Sequence, residues 1–215
     1  MIKETTEQVP YEKSIEYAHE VDSILFDHLH DCPDINPHDM MHIFMVAMDM
    51  RPGTVVGIDS DDGSQVGRKK IVFTLIEDVC RMLNLHHDVK EKQDGWTTVS
   101  ISKDSSVAGE LAVNFNKSVE EDATLEMKNE REKGLLLGIP ETAVTGWIHN
   151  EKMDYKELPE EVKNSLEFRA FLDFRLSKNN WQEEFELVRE RAYKIEKMAP
   201  KIFEAVISTH AEMVV

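Results

Sequence analysis

Apolar residues recur along the chain with two different periods, and the places where the period changes mark out its elements. From residue 11 to 30, Tyr11, Ile15, Ala18, Val21, Leu25 and Leu29 fall at three- and four-residue spacing, which predicts an amphipathic helix. Two prolines within 31–37 end it. Pro37 suits the first turn of a second helix over 38–50, unusually apolar and stopped by Arg51-Pro52-Gly53. The residues TVVGID at 54–59 predict a short strand, followed by the acidic, glycine-containing loop DSDDGSQVG. Over 71–85, Val72, Leu75, Ile76, Val79 and Leu83 keep helical spacing, although the opening IVF is β-branched enough to make strand an alternative. The period then drops to two. Val99 and Ile101 alternate with polar residues, as do Leu111, Val113 and Phe115, and the polar KDSSVAG between them predicts an antiparallel hairpin.

Everything after Ser118 has the helical period. Ser118 and Glu121 have capping-box spacing, Gly138 stops that helix, and Pro140 restarts another through Trp147. A helix follows Leu158-Pro159 as far as residue 177, a second capping-box match at Asn180 and Glu183 opens one to Met198, and Pro200 begins a final short one. The expected fold class is α+β: a small antiparallel sheet or hairpin with a predominantly helical C-terminal half. The polar stretch HNEKMDYKELP at 149–159 is a hinge or a surface loop. The two helices beyond it would struggle to bury themselves alone, so it is read as a loop within a single domain spanning 1–215.

Charge narrows the range of partners. The chain of 215 residues carries 42 acidic and 25 basic residues, a formal net charge of −17, and its longest basic run is Arg68-Lys69-Lys70. Such a field repels a phosphate backbone or an anionic membrane, so neither nucleic acid nor membrane is an expected partner. No run reaches the about 18 apolar residues of a membrane span. The opening MIKETTEQVPYEK is polar and acidic where a secretory signal would be basic and then apolar. A cytoplasmic protein is expected, with Cys32 and Cys80 as free thiols, since neither belongs to a metal-knuckle or C-x-x-C spacing.

The densest chemistry lies at His28, His30, Cys32, His38, Asp39 and His42. HDMMH at 38–42 sets two imidazoles one helical turn apart, the spacing that lets both reach one ion, and it resembles the zinc-hydrolase HExxH with Asp39 in place of the general-base glutamate. His38, His42 and Asp49 fall on one stripe of an otherwise apolar helix, either its wet edge or a ligand-bearing face. A divalent transition metal such as zinc, if bound, is expected on His38 and His42, with a third ligand from Glu77, His86, His87 or His28. His-Asp pairs recur at 30–31, 38–39 and 87–88, as in HD-type phosphohydrolases, but those enzymes are entirely helical and strands are expected here. The loop beginning at Asp59 has Ser64 and Lys70 where a calcium hand needs Gly and Glu. GSQVGRK at 63–69 is one residue short of a P-loop.

The segment EKGLLLGIPETAVTGW, 132–147, resembles the "GxLLGYPexAV" segment of a group of archaeal proteins of unknown function, with Ile139 where an aromatic is usual. Residues 171–192 and the ending around Pro200 are similar to the C-terminal helices of that group. The resemblance covers about the last 90 residues and implies an archaeal, cytosolic source; it implies no activity, cofactor or site residue. Two functional readings follow. The favoured one is a non-catalytic protein-interaction or regulatory protein with a protein partner, because no complete catalytic constellation appears. The alternative is a metal-dependent hydrolase in which His38 and His42 bind the metal and Asp39 is the base.

Overall fold

The structure, a computed structural model, describes residues 11–32, 34–58, 67–91, 96–116 and 123–212. The apolar stripe of the first helix, α1 (Tyr11–Leu29), buries Ala18, Val21, Leu25 and Leu29 completely. The second, α2 (Pro37–Ala47), opens with Pro37 and a capping box in which Asn36 and Asp39 each bind the other's backbone N–H, at 3.0 Å in both directions. Seven of its eleven residues are buried, so it is a core helix. It ends three residues before its expected limit, because Asp49 takes a left-handed backbone (φ 57°) and leaves the helical path.

Strand β1 (Gly53–Ile58), helix α3 (Arg68–Met82), strand β2 (His86–Glu91) and strand β3 (Thr97–Ser102) follow. The strands form an antiparallel sheet in the order β1-β3-β2, with Val99 opposite both Val56 and Val89. The expected hairpin of 99–101 with 111–115 does not form. Residues 105–116 are a helix, α4 (Ser105–Asn116), because Ala108, Leu111 and Ala112 make a buried stripe at helical spacing while Val113 stays exposed. The polar stretch taken for a turn begins this helix instead: the Asp104 carboxylate accepts from the Ser106 N–H at 2.8 Å and its hydroxyl at 2.7 Å.

Residue parity sorts the sheet's two faces. Val56, Ile58, Val99 and Ile101 join the core under α1, α2 and α3. The opposite face carries Gly53, Ser100 and Ser102 and is covered by α4, with Leu111 seated so closely on Gly53 that a Cβ there would lie 2.5 Å from its Cδ1. The central strand is buried along its whole length.

The helical half comprises α5 (Ala123–Leu136), α6 (Glu141–Ile148), α7 (Glu160–Lys163), α8 (Leu166–Phe171), α9 (Trp181–Met198) and α10 (Pro200–Glu212). The capping box expected at Ser118 lies outside the described residues. The single helix expected over 159–177 is broken. Ser165 closes one short helix and caps the next by accepting from the Phe168 N–H, and beyond Phe171 the chain runs extended. Asn180 precedes α9, but its side chain makes no cap.

α10 packs on α1 and α2 and is capped from a distance: the Asp22 carboxylate of α1 accepts from the N–H groups of Lys201 and Ile202 at 3.1 and 3.0 Å. Cys32 and Cys80 are free and buried. Burial, with the Glu77 charge nearby, pushes the Cys80 thiol up to about 12. No described helix is long and apolar enough to cross a membrane.

Candidate functional site

Of the eleven residues of α2, the polar ones, His38, Asp39 and His42, are half-buried, and they form a seam against the chain that leaves α8. His38 donates through Nε2 to the Ala170 carbonyl at 3.0 Å. Asp39 is held by the capping box. His42 turns its Nε2 to 3.3 Å from Asp173 Oδ2, an electrostatic contact too poorly aligned to be a hydrogen bond. The two histidines thus share a face, as their spacing requires, but each meets a different protein group.

The other candidates lie elsewhere. Asp49 is exposed beyond the end of α2 and binds Lys103 at 2.6 Å. His87 of β2 stands 3.8 Å from Glu77 of α3, and His28 Nδ1 lies 2.8 Å from the Ile24 carbonyl. Among the described residues, no three His, Cys, Asp or Glu side chains are gathered as a metal-ion site.

What the seam gathers instead is charge. Arg51, its side chain 4% exposed, donates through Nη1 to Asp173 at 3.2 Å and through Nε to the Gly53 carbonyl at 3.0 Å. Arg191 of α9 approaches the other Asp173 oxygen at 3.9 Å. Burial alone would raise the Asp173 carboxyl, but His42 and the two guanidinium groups outweigh it and hold the group down to about 2. Burial, together with the positive charge of Arg51, lowers His42 below its ordinary range, so its imidazole is neutral at pH 7. Burial likewise lowers His38. The result is an anion clamped by two cations beside a neutral imidazole, built from α2, the turn into β1, the segment after α8, and α9.

This cluster braces a second feature. Arg191 Nη2 donates to the Gly138 carbonyl at 2.8 Å, and Gly138 (φ 71°) lies so close to Arg51 and Pro52 that a Cβ would stand 3.0 Å from each. The α5–α6 turn is therefore fixed to the cluster. Within that helix pair, Gly134 lets the helices close up: a Cβ there would lie 2.6 Å from Val144 Cγ2. Beyond the contact the helices leave an open hollow of about 250 Å³ walled by Leu137, Ile139, Val144, Trp147 and Phe174. Trp147 is 48% exposed and carries the Lys152 ammonium 4.6 Å from its ring centre.

Phe174 belongs to a strip of chain tethered at both ends. At one end Asp173 is clamped by the arginines. At the other, Ser177 gives both its N–H and its hydroxyl to the buried Glu184 carboxylate, each at 2.7 Å. Between them the Leu176 carbonyl accepts from the Met153 N–H at 2.7 Å, and just beyond Ser177 the Lys178 backbone N–H donates to the Glu151 carbonyl at 2.7 Å. These bonds stitch residues 151–153 of the polar 149–159 loop to the strip.

The sequence pattern singled out the histidines but not Asp173, Arg51 or Arg191. The available signal was Asp173 itself, one carboxylate inside the apolar run AFLDF, where an unpaired charge would be costly. Compared with known protein families, curated proteins and solved structures, the chain finds no match.

Proposed function

We propose that this is a non-catalytic protein that binds a partner protein through the hollow between α5 and α6. What supports this above all is the hollow itself: an apolar recess with a half-exposed tryptophan, beside which Arg51 and Asp173 are spent on one another. Aromatic side chains with a polar tip beside an apolar recess are the composition that interfaces favour. The alternative, hydrolysis at HDMMH, has less behind it, because His38 Nε2 is engaged by Ala170 and Asp39 by its cap.

The test replaces Trp147 with the photo-cross-linker p-benzoylphenylalanine in cells that make the protein. One dominant adduct is expected. The purified adduct partner should bind the wild-type protein, and Val144→Arg, which fills the hollow with charge, should weaken that binding by about tenfold or more. Turnover of a model ester or phosphoester by zinc-supplemented protein, lost in the His38→Ala/His42→Ala variant, would overturn the proposal in favour of the hydrolase.

A further inference from the structure

The tethered strip has a second hollow on its other side, of about 270 Å³, walled by Tyr155, Leu158, Phe168, Leu172 and Phe174. Tyr155 and Phe168 form its aromatic edge, with ring centres 5.9 Å apart. The two hollows share Phe174 and Arg175, which form a ridge between them. Among the described residues, Arg175 is the one charged residue lining the second hollow, and it is exposed.

Among the described residues Arg175 has no ion-pair or hydrogen-bond partner, on a chain where acidic residues outnumber basic ones 42 to 25. Its surroundings differ from those of the other charged groups at the site. Lys133 and Glu130, on the far wall of the first hollow, neutralise each other at 2.5 Å. Asp173 and Arg191 are held in the buried cluster. Arg175 therefore presents an uncompensated cation between two apolar recesses, on a strip that Asp173 and Ser177 hold in place at either side. A guanidinium beside apolar walls suits a carboxylate, because its planar donors match two oxygens.

We infer that the partner engages this ridge with a segment carrying an apolar side chain on each side of an aspartate or glutamate. The apolar groups enter the two hollows and the carboxylate pairs with Arg175. The inference rests on the interaction function proposed above and specifies the partner's chemistry. Because the strip is tethered before binding, little ordering cost falls on this side of the interface.

The experiment pans a random twelve-residue peptide library displayed on phage against the full-length protein, then measures the affinity of enriched peptides by calorimetry. The expected consensus has an acidic residue flanked on both sides by large apolar ones. Arg175→Glu, at an exposed position that leaves the fold intact, should weaken the consensus peptide by about tenfold or more, and lysine in place of the peptide's acid should restore binding to that variant. Enriched peptides without an acid, or binding unmoved by Arg175→Glu, would overturn the inference while leaving the interaction function in place. Two further results would also overturn it: saturable binding of dodecanoate that displaces the peptide and depends on Arg175, which would make the ridge a free-carboxylate site, or concentration-dependent dimerisation abolished by Arg175→Glu. Failure to enrich any peptide, together with no adduct from position 147, would overturn both.

Discussion

Asp173 shows how much can hang on one carboxylate. Its removal strands Arg51 as a buried, half-satisfied cation. Asp173→Ala is expected to destabilise the fold by about 3–5 kcal/mol in urea titrations, and the added change Arg51→Met to recover part of that loss, since an apolar replacement of both partners removes the stranded charge. The same residues set the response to acid. The folded-state pKa of His42 lies below the ordinary 6.5, so on acidification the unfolded chain takes up the proton first. His42 therefore supports stability fully above pH 6.5, and this support is lost as the pH falls from there toward the folded-state value; His38 acts in the same direction. Asp173, lowered from 3.8 to about 2, contributes in full above 3.8 and loses its contribution between those values. Urea midpoints should decline in two stages on acidification, with His42→Gln flattening the first and Asp173→Asn the second. An unchanged first stage in His42→Gln would mean that the histidine titrates as if exposed. His38 and His42 stood out in the sequence because periodicity exposes a shared face. The pairing of Asp173 with His42 and Arg51 did not, because contacts across more than a hundred residues leave no local spacing.

Among the elements, the α5–α6 pair depends on the absence of two side chains. Gly134→Ala would drive a methyl to 2.6 Å from Val144 Cγ2, so the two helices or the valine must shift. The expected cost is about 1–3 kcal/mol with a changed Trp147 emission, read in a Trp96→Phe/Trp181→Phe background, and Val144→Ala in the same chain should restore both. If the single change is silent, the helices are not in the close contact that shapes the hollow. Helices were legible where apolar residues kept helical spacing: α1, α2, α3 and α9 begin and end within a few residues of where periodicity places them, and α10 begins at Pro200 as expected. Two failures have opposite causes. In α4, LAVNF alternates by chance like a strand, and only the buried Ala108 and Ala112 show that small residues complete a helical stripe. Strand β2, HHDVKE, has almost no apolar signal because it is an edge strand, and its charges guard against pairing with another chain. The break in the 159–177 helix was hidden for a third reason. Ser165 has nothing distinctive around it, and Asp173 draws the chain inward by a contact with no counterpart in the local sequence.

At the scale of the whole molecule, the net charge of −17 remains the dominant long-range property. Duplex DNA and RNA are expected to show no binding at ~0.15 M salt; micromolar binding that weakens steeply with added salt would contradict this, since that dependence is the mark of phosphate neutralisation. The burial of Cys80 carries a different consequence, one of time rather than energy. A thiol pushed up to about 12 is almost entirely protonated at neutral pH, and it sits on the buried face of α3, so an alkylating reagent in solution meets neither a thiolate nor an open path. Modification of Cys80 must wait until the core around α3 opens, and under excess reagent its rate counts those openings. In a Cys32→Ala background, Cys80 becomes a stopwatch built into the native chain. If its labelling rate at neutral pH rises on Gly134→Ala, the helices beside the hollow and the core beneath the sheet open as one unit; if that variant is destabilised with no change in the labelling rate, they open separately.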